Sequence, residues 1–123
     1  SFFAGDLYAA IEPMPAPALF HVIASNPPYI PTANLAALPP GIREHEPRLA
    51  LDGGADGLTF HRRIVEGARR HLEAGGLVIM EMQFDQGPAL KALLEAAGWL
   101  ENVRIIKDAA QRARCAVGTR RGE

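Results

Sequence analysis

The sequence predicts an α/β fold in which an open sheet is joined by crossover helices and ends in an antiparallel hairpin. Short apolar runs rich in branched residues alternate with stretches of helical period, which is the pattern of strands connected by helices. The last two apolar runs, residues 103–107 and 114–119, are too close in sequence to enclose a crossover helix, so we expect them to pair antiparallel. A chain of 123 residues with 48% hydrophobic content is expected to form one domain, residues 1–123.

The amino-terminal half contains one well-defined predicted strand. Residues 20–25 (FHVIAS) form an apolar run with branched and aromatic side chains, which predicts a buried strand. Residues 1–3 (SFF) resemble the end of another strand. Residues 32–55 contain too many prolines and glycines for a long element, and only residues 35–38 are expected to form a turn of helix. This stretch is therefore predicted to be a loop that faces the substrate.

The carboxyl-terminal half is predicted to alternate helix and strand. Asp56 is a suitable N-cap for a helix that the glycines at 75–76 would end, and a strand over residues 77–82 would follow. One face of that helix would carry Leu58, His61, Ile64, Val65, Ala68 and Leu72. Pro88 suits the first turn of a second helix, which would end before Gly98. Its inward-facing residues are expected to be Leu90, Leu93, Leu94 and Ala97.

The tetrapeptide after the first predicted strand is the most informative for function. It reads Asn26-Pro27-Pro28-Tyr29, hereafter the NPPY motif, and open α/β sheets bind ligands at the carboxyl ends of their strands. Two prolines hold the backbone rigid and leave carbonyls without neighbouring N–H groups. The Asn26 side-chain oxygen and the Pro27 carbonyl can accept both hydrogens of a planar –NH₂ group, with Tyr29 along its plane. The motif therefore suits a carboxamide or an exocyclic base amine; the alternative is a rigid turn without chemistry.

Two motifs together carry a family resemblance. The NPPY motif resembles the catalytic motif of S-adenosylmethionine-dependent methyltransferases that act on planar nitrogens, and residues 46–58 (EPRLALDGGADGL) resemble a second signature of the HemK/PrmC family. Members of that family methylate the N5 amide nitrogen of a glutamine in peptide-chain release factors. Further matches are Gly5-Asp6-Leu7, Gly75-Gly76-Leu77, Glu81, Gln86, Lys107-Asp108 and Arg114. The resemblance implies a Rossmann-like class I methyltransferase sheet.

The sequence departs from the family pattern in two ways. His45 stands where members often have Phe, which suggests a different protein substrate. The glycine-rich cofactor loop and the N-terminal helical domain of the family are absent, so the chain looks like the carboxyl-terminal half of a catalytic domain, with part of its sheet. The strand over residues 20–25 would then lack one neighbour, and its unpaired edge predicts association with another chain, for example as a homodimer.

The resemblance also assigns roles to individual residues. Asn26, Pro27 and Tyr29 would be catalytic, and together with Pro28 they would bind the glutamine side chain. Asp6 and Asn26 would contact S-adenosylmethionine, with Asp6 at the adenine amino group; the alternative for Asp6 is an N-cap of the helix that begins at residue 7. Glu46 would contact the substrate, or would instead brace the loop around the motif.

Composition excludes several other classes of protein. The net charge of −1 argues against nucleic acid as a partner, because phosphate binding normally requires a basic face. A single cysteine, Cys115, excludes an intramolecular disulfide and fits a reducing cytoplasm. No apolar stretch approaches the roughly 20 residues that span a bilayer. The four histidines lack metal-ligand spacing, so no metal site is expected.

Three functions follow from these observations. The first is a cytoplasmic, S-adenosylmethionine-dependent protein-glutamine methyltransferase whose partner is a protein substrate, a release factor. The second is an adenine-N6 methyltransferase acting on nucleic acid, because that group shares the NPPY motif. The third is a non-catalytic remnant that keeps the fold without binding cofactor, and its only support is the missing glycine-rich loop.

Overall fold

A computed structural model describes residues 1–15 and 19–122 of the chain. The strands are β1 Phe20–Ser25, β2 Leu72–Glu81, β3 Leu100–Lys107 and β4 Ala113–Arg120. The α-helices are α1 Pro40–His45, α2 Thr59–His71 and α3 Gly87–Ala96. Short 3₁₀ turns occupy Leu7–Ile11, Thr32–Ala37 and Arg48–Ala50. Within the described residues, no helix combines the length and the apolar character needed to cross a membrane.

The four strands form one mixed sheet in the order β1-β2-β4-β3. β1 and β2 are parallel, with Ser25 opposite Met80 at the end of β1. β4 pairs antiparallel with both β2 and β3. The predicted α/β class and the antiparallel terminal hairpin are therefore confirmed. In the described residues β1 is an edge strand, as predicted; its association with a second chain stays a prediction.

The hydrophobic core lies between one face of the sheet and the two longer helices. Alternate residues of β2 are buried on this face, including Val78 and Met80, whereas the residues between them are only half-buried. The helical face predicted for α2 is confirmed for His61, Ile64, Val65 and Ala68, which are all buried. Leu58 and Leu72 are buried as well, but they lie just outside the helix. In α3, Leu90 and Leu94 are buried, and Leu93 and Ala97 pack against the same core. Pro88 lies in the first turn of α3, as predicted.

Two predictions for the amino-terminal half are wrong. Residues 1–3 form no strand, and their side chains are exposed. β1 has the predicted bounds but is not buried: Val22, for example, is 49% exposed. The physical reason is that β1 lies at the sheet edge, with β2 as its only strand partner among the described residues. Residues 32–55 contain no long element, but they include α1 in addition to the expected turn near residues 35–38.

The ends predicted for α2 are also wrong. The helix begins at Thr59, and Asp56 is not its N-cap; the Asp56 carboxylate accepts a hydrogen bond from the Leu58 N–H, at 3.0 Å. The helix ends at His71 rather than at the glycines, because Leu72 turns extended and pairs with Phe20 of β1. The glycines at 75–76 lie inside β2, where the register shifts against β1. Strand pairing thus overrides the helical pattern of the sequence.

His61 is fully buried and joins α2 to the end of β2. Its Nε2 lies 2.9 Å from the Glu81 carbonyl oxygen, and because a carbonyl only accepts, Nε2 carries the proton. Nδ1 has no hydrogen-bond partner among the described residues. Burial lowers the pKa of His61 below its ordinary value, so the ring is neutral in the folded protein at neutral pH.

We expect the free energy of unfolding to fall as the pH is lowered from about 7.5 to about 5.5. The unfolded chain protonates His61 near its ordinary pKa, whereas the folded chain does so only at lower pH, so acid favours unfolding. This contribution is complete above the unfolded pKa and is lost as the pH falls toward the folded pKa. Urea unfolding at several pH values measures the slope. In His61→Leu, the free energy of unfolding should depend less steeply on pH. Equal slopes in the two proteins would show that His61 does not cause this pH dependence.

Candidate active site

A cleft of about 460 Å³ lies at the carboxyl end of β1. It is lined by Asn26, Pro27, Pro28, Tyr29, Ile30, Ile42, Glu46, Ala50 and Leu51. The whole NPPY motif and Glu46 therefore meet in one cavity. β1 supplies the motif, and the segment from α1 to the 3₁₀ turn Arg48–Ala50 supplies the facing wall.

Two polar groups of the NPPY motif are left without a partner inside the described part of the protein. Asn26 is exposed and Pro27 is buried. No hydrogen bond within the described residues involves the Asn26 side chain or the Pro27 carbonyl. Neither proline has an N–H that could compete for a neighbouring acceptor. Two acceptors on adjacent residues that line the cleft are therefore available to a ligand that donates two hydrogens.

The peptide after the motif is fixed on both sides. The Tyr29 carbonyl accepts a hydrogen bond of 2.9 Å from Gln86 Nε2. The Ile30 N–H donates to the Leu51 carbonyl at 3.1 Å, and the Ile30 carbonyl accepts from the Gly53 N–H at 2.8 Å. Ile30 and Asp52 thereby form a short parallel bridge. The second signature of the sequence lies directly against the chain that leaves the NPPY motif.

Glycines allow this close contact. A Cβ atom at Gly53 would lie 2.7 Å from Tyr29 Cα, and one at Gly57 would lie 2.5 Å from the Tyr29 carbonyl oxygen. Gly57 also has a φ of 78°, which an L side chain rarely adopts. The glycines of the second signature therefore let two backbone segments touch, and any side chain there would displace Tyr29.

Asp52 stabilises the same contact. Its carboxylate accepts hydrogen bonds from Thr32 Oγ1 at 2.6 Å, from the Gly54 N–H at 3.0 Å and from Arg48 Nε at 3.4 Å. The Thr32 hydrogen bond is the main reason why the pKa of Asp52 lies below its ordinary value. Sequence reasoning assigned no role to Asp52 or Gln86, although both lie in stretches noted for their family resemblance. A role for Asp52 could have been inferred from its place before two glycines, which is typical of a side chain that caps a turn.

Glu46 is exposed at the rim of the cleft and follows α1 directly. Its backbone N–H donates to the Ile42 carbonyl at 3.0 Å. Its carboxylate takes part in no hydrogen bond or ion pair within the described residues. The alternative that Glu46 braces the loop through its side chain thus finds no support. A substrate contact stays a prediction.

Asp6 does not line the cleft that contains the other predicted site residues. It precedes the 3₁₀ turn Leu7–Ile11, but its side chain makes no capping hydrogen bond; its carboxylate instead accepts from Arg63 Nη2 at 2.6 Å. Tyr8 fixes this turn on α2, because its hydroxyl donates to the Ile64 carbonyl at 2.7 Å. Burial raises the pKa of Tyr8 to about 12.

A second, apolar cavity lies beside β1, and α2 contributes Ile64 to it. Its lining includes Leu7, which follows Asp6 in the chain, and Ser25, which precedes Asn26. Among the described residues, no cluster of three His, Cys, Asp or Glu side chains is placed to hold a metal ion.

Sequence comparison relates the chain to proteins of known name. No protein-family model matches it. It is 45% identical over 119 residues to the release factor glutamine methyltransferase of Moorella thermoacetica. The aligned region covers 97% of this chain and 40% of that protein. It is 46% identical over 101 residues to the Caulobacter vibrioides protein of the same name, covering 82% of this chain and 35% of that protein. The chain belongs to the release factor glutamine methyltransferase family. It spans about two fifths or less of the length of these curated relatives.

Solved structures agree with the fold of a release factor glutamine methyltransferase. A methyltransferase from Pyrococcus furiosus superposes with a TM-score of 0.60 at 18% identity, over 97% of this chain and 47% of that chain, and this likeness concerns the fold alone. The release-factor-specific protein-(glutamine-N5) methyltransferase of Alicyclobacillus acidocaldarius gives a TM-score of 0.53 at 26% identity, over 85% of this chain and 50% of that chain. The predicted class I methyltransferase sheet is therefore confirmed.

Proposed function

We propose that this chain is the carboxyl-terminal part of a catalytic domain that transfers a methyl group from S-adenosylmethionine to a protein. The acceptor is the side-chain amide nitrogen of a glutamine in a peptide-chain release factor. The observation that carries the proposal is the cleft, which brings the NPPY motif and Glu46 together at the end of β1. Relatives that match most of this chain are named release factor glutamine methyltransferase, which favours glutamine over the adenine-N6 alternative.

The acceptors of the cleft orient the glutamine amide. Asn26 Oδ1 and the Pro27 carbonyl accept one N–H each, and the Tyr29 ring packs along the amide plane. An amide nitrogen is a poor nucleophile, because its lone pair is delocalised into the carbonyl. Holding both N–H bonds favours the geometry in which that lone pair points toward the methyl carbon. Pro28 restricts the backbone of Pro27 and so limits the direction in which the Pro27 carbonyl points.

The same acceptors favour the transition state over the bound substrate. When bound, S-adenosylmethionine supplies an electrophilic methyl group whose bond to sulfur breaks as the bond to nitrogen forms. The amide nitrogen gains positive charge during this transfer, so its N–H groups become stronger donors to Asn26 and Pro27. The charged nitrogen then releases a proton to solvent, and no strong general base is needed.

Residues of this chain fit part of the cofactor. The apolar cavity beside β1 is lined by both Leu7 and Ser25, the chain neighbours of Asp6 and Asn26. The Asp6 side chain is 67% exposed, so its carboxylate can accept from an amino group while it pairs with Arg63. We propose Asp6 and Asn26 as the cofactor contacts of this chain. The glycine-rich loop that the family uses for the rest of the cofactor is not part of this sequence.

The test uses this sequence extended upstream to the length of its relatives. The protein is incubated with a release factor, duplex DNA and S-adenosylmethionine that carries an isotope-labelled methyl group. We expect label on one glutamine side chain of the release factor, located by peptide mass spectrometry, and none on a release factor in which that glutamine is replaced. Label on the DNA would instead support the adenine-N6 function. A folded extended protein that does not bind S-adenosylmethionine and labels neither substrate would support the non-catalytic alternative.

A further inference from the structure

Gln86 is a buried side chain that connects three separate backbone segments. It is 8% exposed and lies in the loop between β2 and α3. Its Nε2 donates to the Tyr29 carbonyl at 2.9 Å and to the Gly57 carbonyl at 3.4 Å. Its Oε1 accepts from the Gln83 N–H at 2.9 Å. The amide thus uses its donor and its acceptor at the same time, which leucine cannot do and a carboxylate, with acceptors only, cannot do either.

One peptide group receives most of this restraint. The Tyr29 carbonyl and the Ile30 N–H belong to the same peptide plane, and Gln86 holds the first while the Leu51 carbonyl holds the second. A peptide plane that is fixed at both ends cannot rotate. This fixes the carboxyl end of the NPPY motif.

The amino end of the motif is fixed by the same region of the chain. Ser25 pairs with Met80 of β2, and Gln86 follows β2 by a few residues. β2 and the loop after it therefore hold both ends of the motif, and the two acceptors lie between them. A loss of the Gln86 contact would free one end only, since the strand pairing would remain.

We propose that Gln86 is a positioning residue that sets the orientation of Tyr29 relative to the acceptors of Asn26 and Pro27. The proposal rests on the proposed methyl transfer, because it assigns Gln86 an effect on that reaction. Gln86 does not line the cleft, and it acts through the Tyr29 carbonyl. Small displacements of groups that align a substrate lower the rate of reaction far more than they weaken binding.

The experiment compares two substitutions of Gln86 with a matched control in the same loop. Gln86→Leu removes the side-chain hydrogen bonds but keeps a side chain of similar volume. Gln86→Glu keeps the acceptor for the Gln83 N–H but places an oxygen against the Tyr29 carbonyl. Gln83→Leu is the control, because Gln83 contributes only its backbone to this network. In the protein extended to the length of its relatives, we expect kcat to fall about 10- to 100-fold in both Gln86 variants. The KM and Kd for S-adenosylmethionine should stay within about twofold, and the control should match the wild type.

Hydrogen exchange gives a second readout that needs no activity. In the present chain, the Ile30 N–H should exchange about tenfold faster in Gln86→Leu, whereas amides of β4 should keep their wild-type rates. Unchanged exchange at Ile30, or an unchanged kcat, would overturn the proposal. A wild-type protein that transfers no methyl group would refute the proposed function, and the exchange of Ile30 would still show whether Gln86 fixes Tyr29.

Discussion

Replacing Asn26 with alanine is expected to lower kcat by about 10²- to 10³-fold in the protein extended to the length of its relatives. The substitution removes one of the two acceptors that orient the substrate amide and that bind more strongly as charge develops on its nitrogen. The Asn26 side chain is exposed and makes no hydrogen bond within the described residues, so its removal should change the stability of the folded protein very little. We expect the free energy of unfolding to change by no more than about 0.5 kcal/mol.

Two further variants make the Asn26 experiment specific. Asn34→Ala removes an exposed asparagine that does not line the cleft, and it should keep the wild-type kcat within about twofold. Asn26→Asp keeps an acceptor oxygen and should lose less activity than Asn26→Ala. Steady-state kinetics of methyl transfer to a release factor gives all three values. A wild-type kcat in Asn26→Ala would show that Asn26 has no part in the chemistry.

Replacing Gly57 with alanine is expected to impair both folding and activity. The new methyl group would lie 2.5 Å from the Tyr29 carbonyl oxygen and 2.6 Å from Gln86 Nε2. The φ of 78° adds about 1–2 kcal/mol of backbone strain, and overpacking adds about 1–3 kcal/mol. Tyr29 must move to relieve the contact, so we expect kcat to fall about 100-fold. Thermal unfolding and steady-state kinetics measure the two effects.

Two other glycines serve as controls for Gly57→Ala. Gly41 lies in α1 with no heavy atom within 4 Å of a built Cβ, so Gly41→Ala should stabilise the protein by about 0.4–1 kcal/mol and leave kcat unchanged. Gly53 is not among the residues with positive φ, and a Cβ there would meet Tyr29 Cα at 2.7 Å. Gly53→Ala therefore tests the packing effect without the strain. If Gly57→Ala kept both the wild-type melting temperature and kcat, the contact with Tyr29 would be unimportant.

The elements of the fold were predictable where local pattern and tertiary packing agree. The period of the apolar residues gave the buried face of α2, and Pro88 gave the start of α3. The predicted carboxyl end of α2 was wrong because Leu72 pairs with Phe20, a residue far away in sequence. The predicted burial of β1 failed for a similar reason: alternation of side chains does not reveal which strands and helices cover them.

For the site, the sequence identified residues whose chemical properties can be inferred from one short segment of the chain. Adjacent prolines and an asparagine predict a pair of open acceptors whatever surrounds them, because these properties belong to the residues themselves. The cleft contains all four residues of the NPPY motif and Glu46. Their roles in binding and catalysis stay predictions, as do the cytoplasmic location and the absence of a nucleic-acid partner.

The sequence by itself determined the α/β class, the terminal hairpin and the position of the motif after β1. These features depend on local periodicity, on short connections and on the fixed geometry of proline. Only the tertiary structure decided what holds the motif in place. Gln86 and Tyr29 are 57 residues apart, and the glycines of the second signature touch Tyr29 only because the chain folds back at Ile30 and Asp52. Such contacts join a side chain or a glycine to a backbone segment far away in sequence, and no local pattern of residues encodes that pairing.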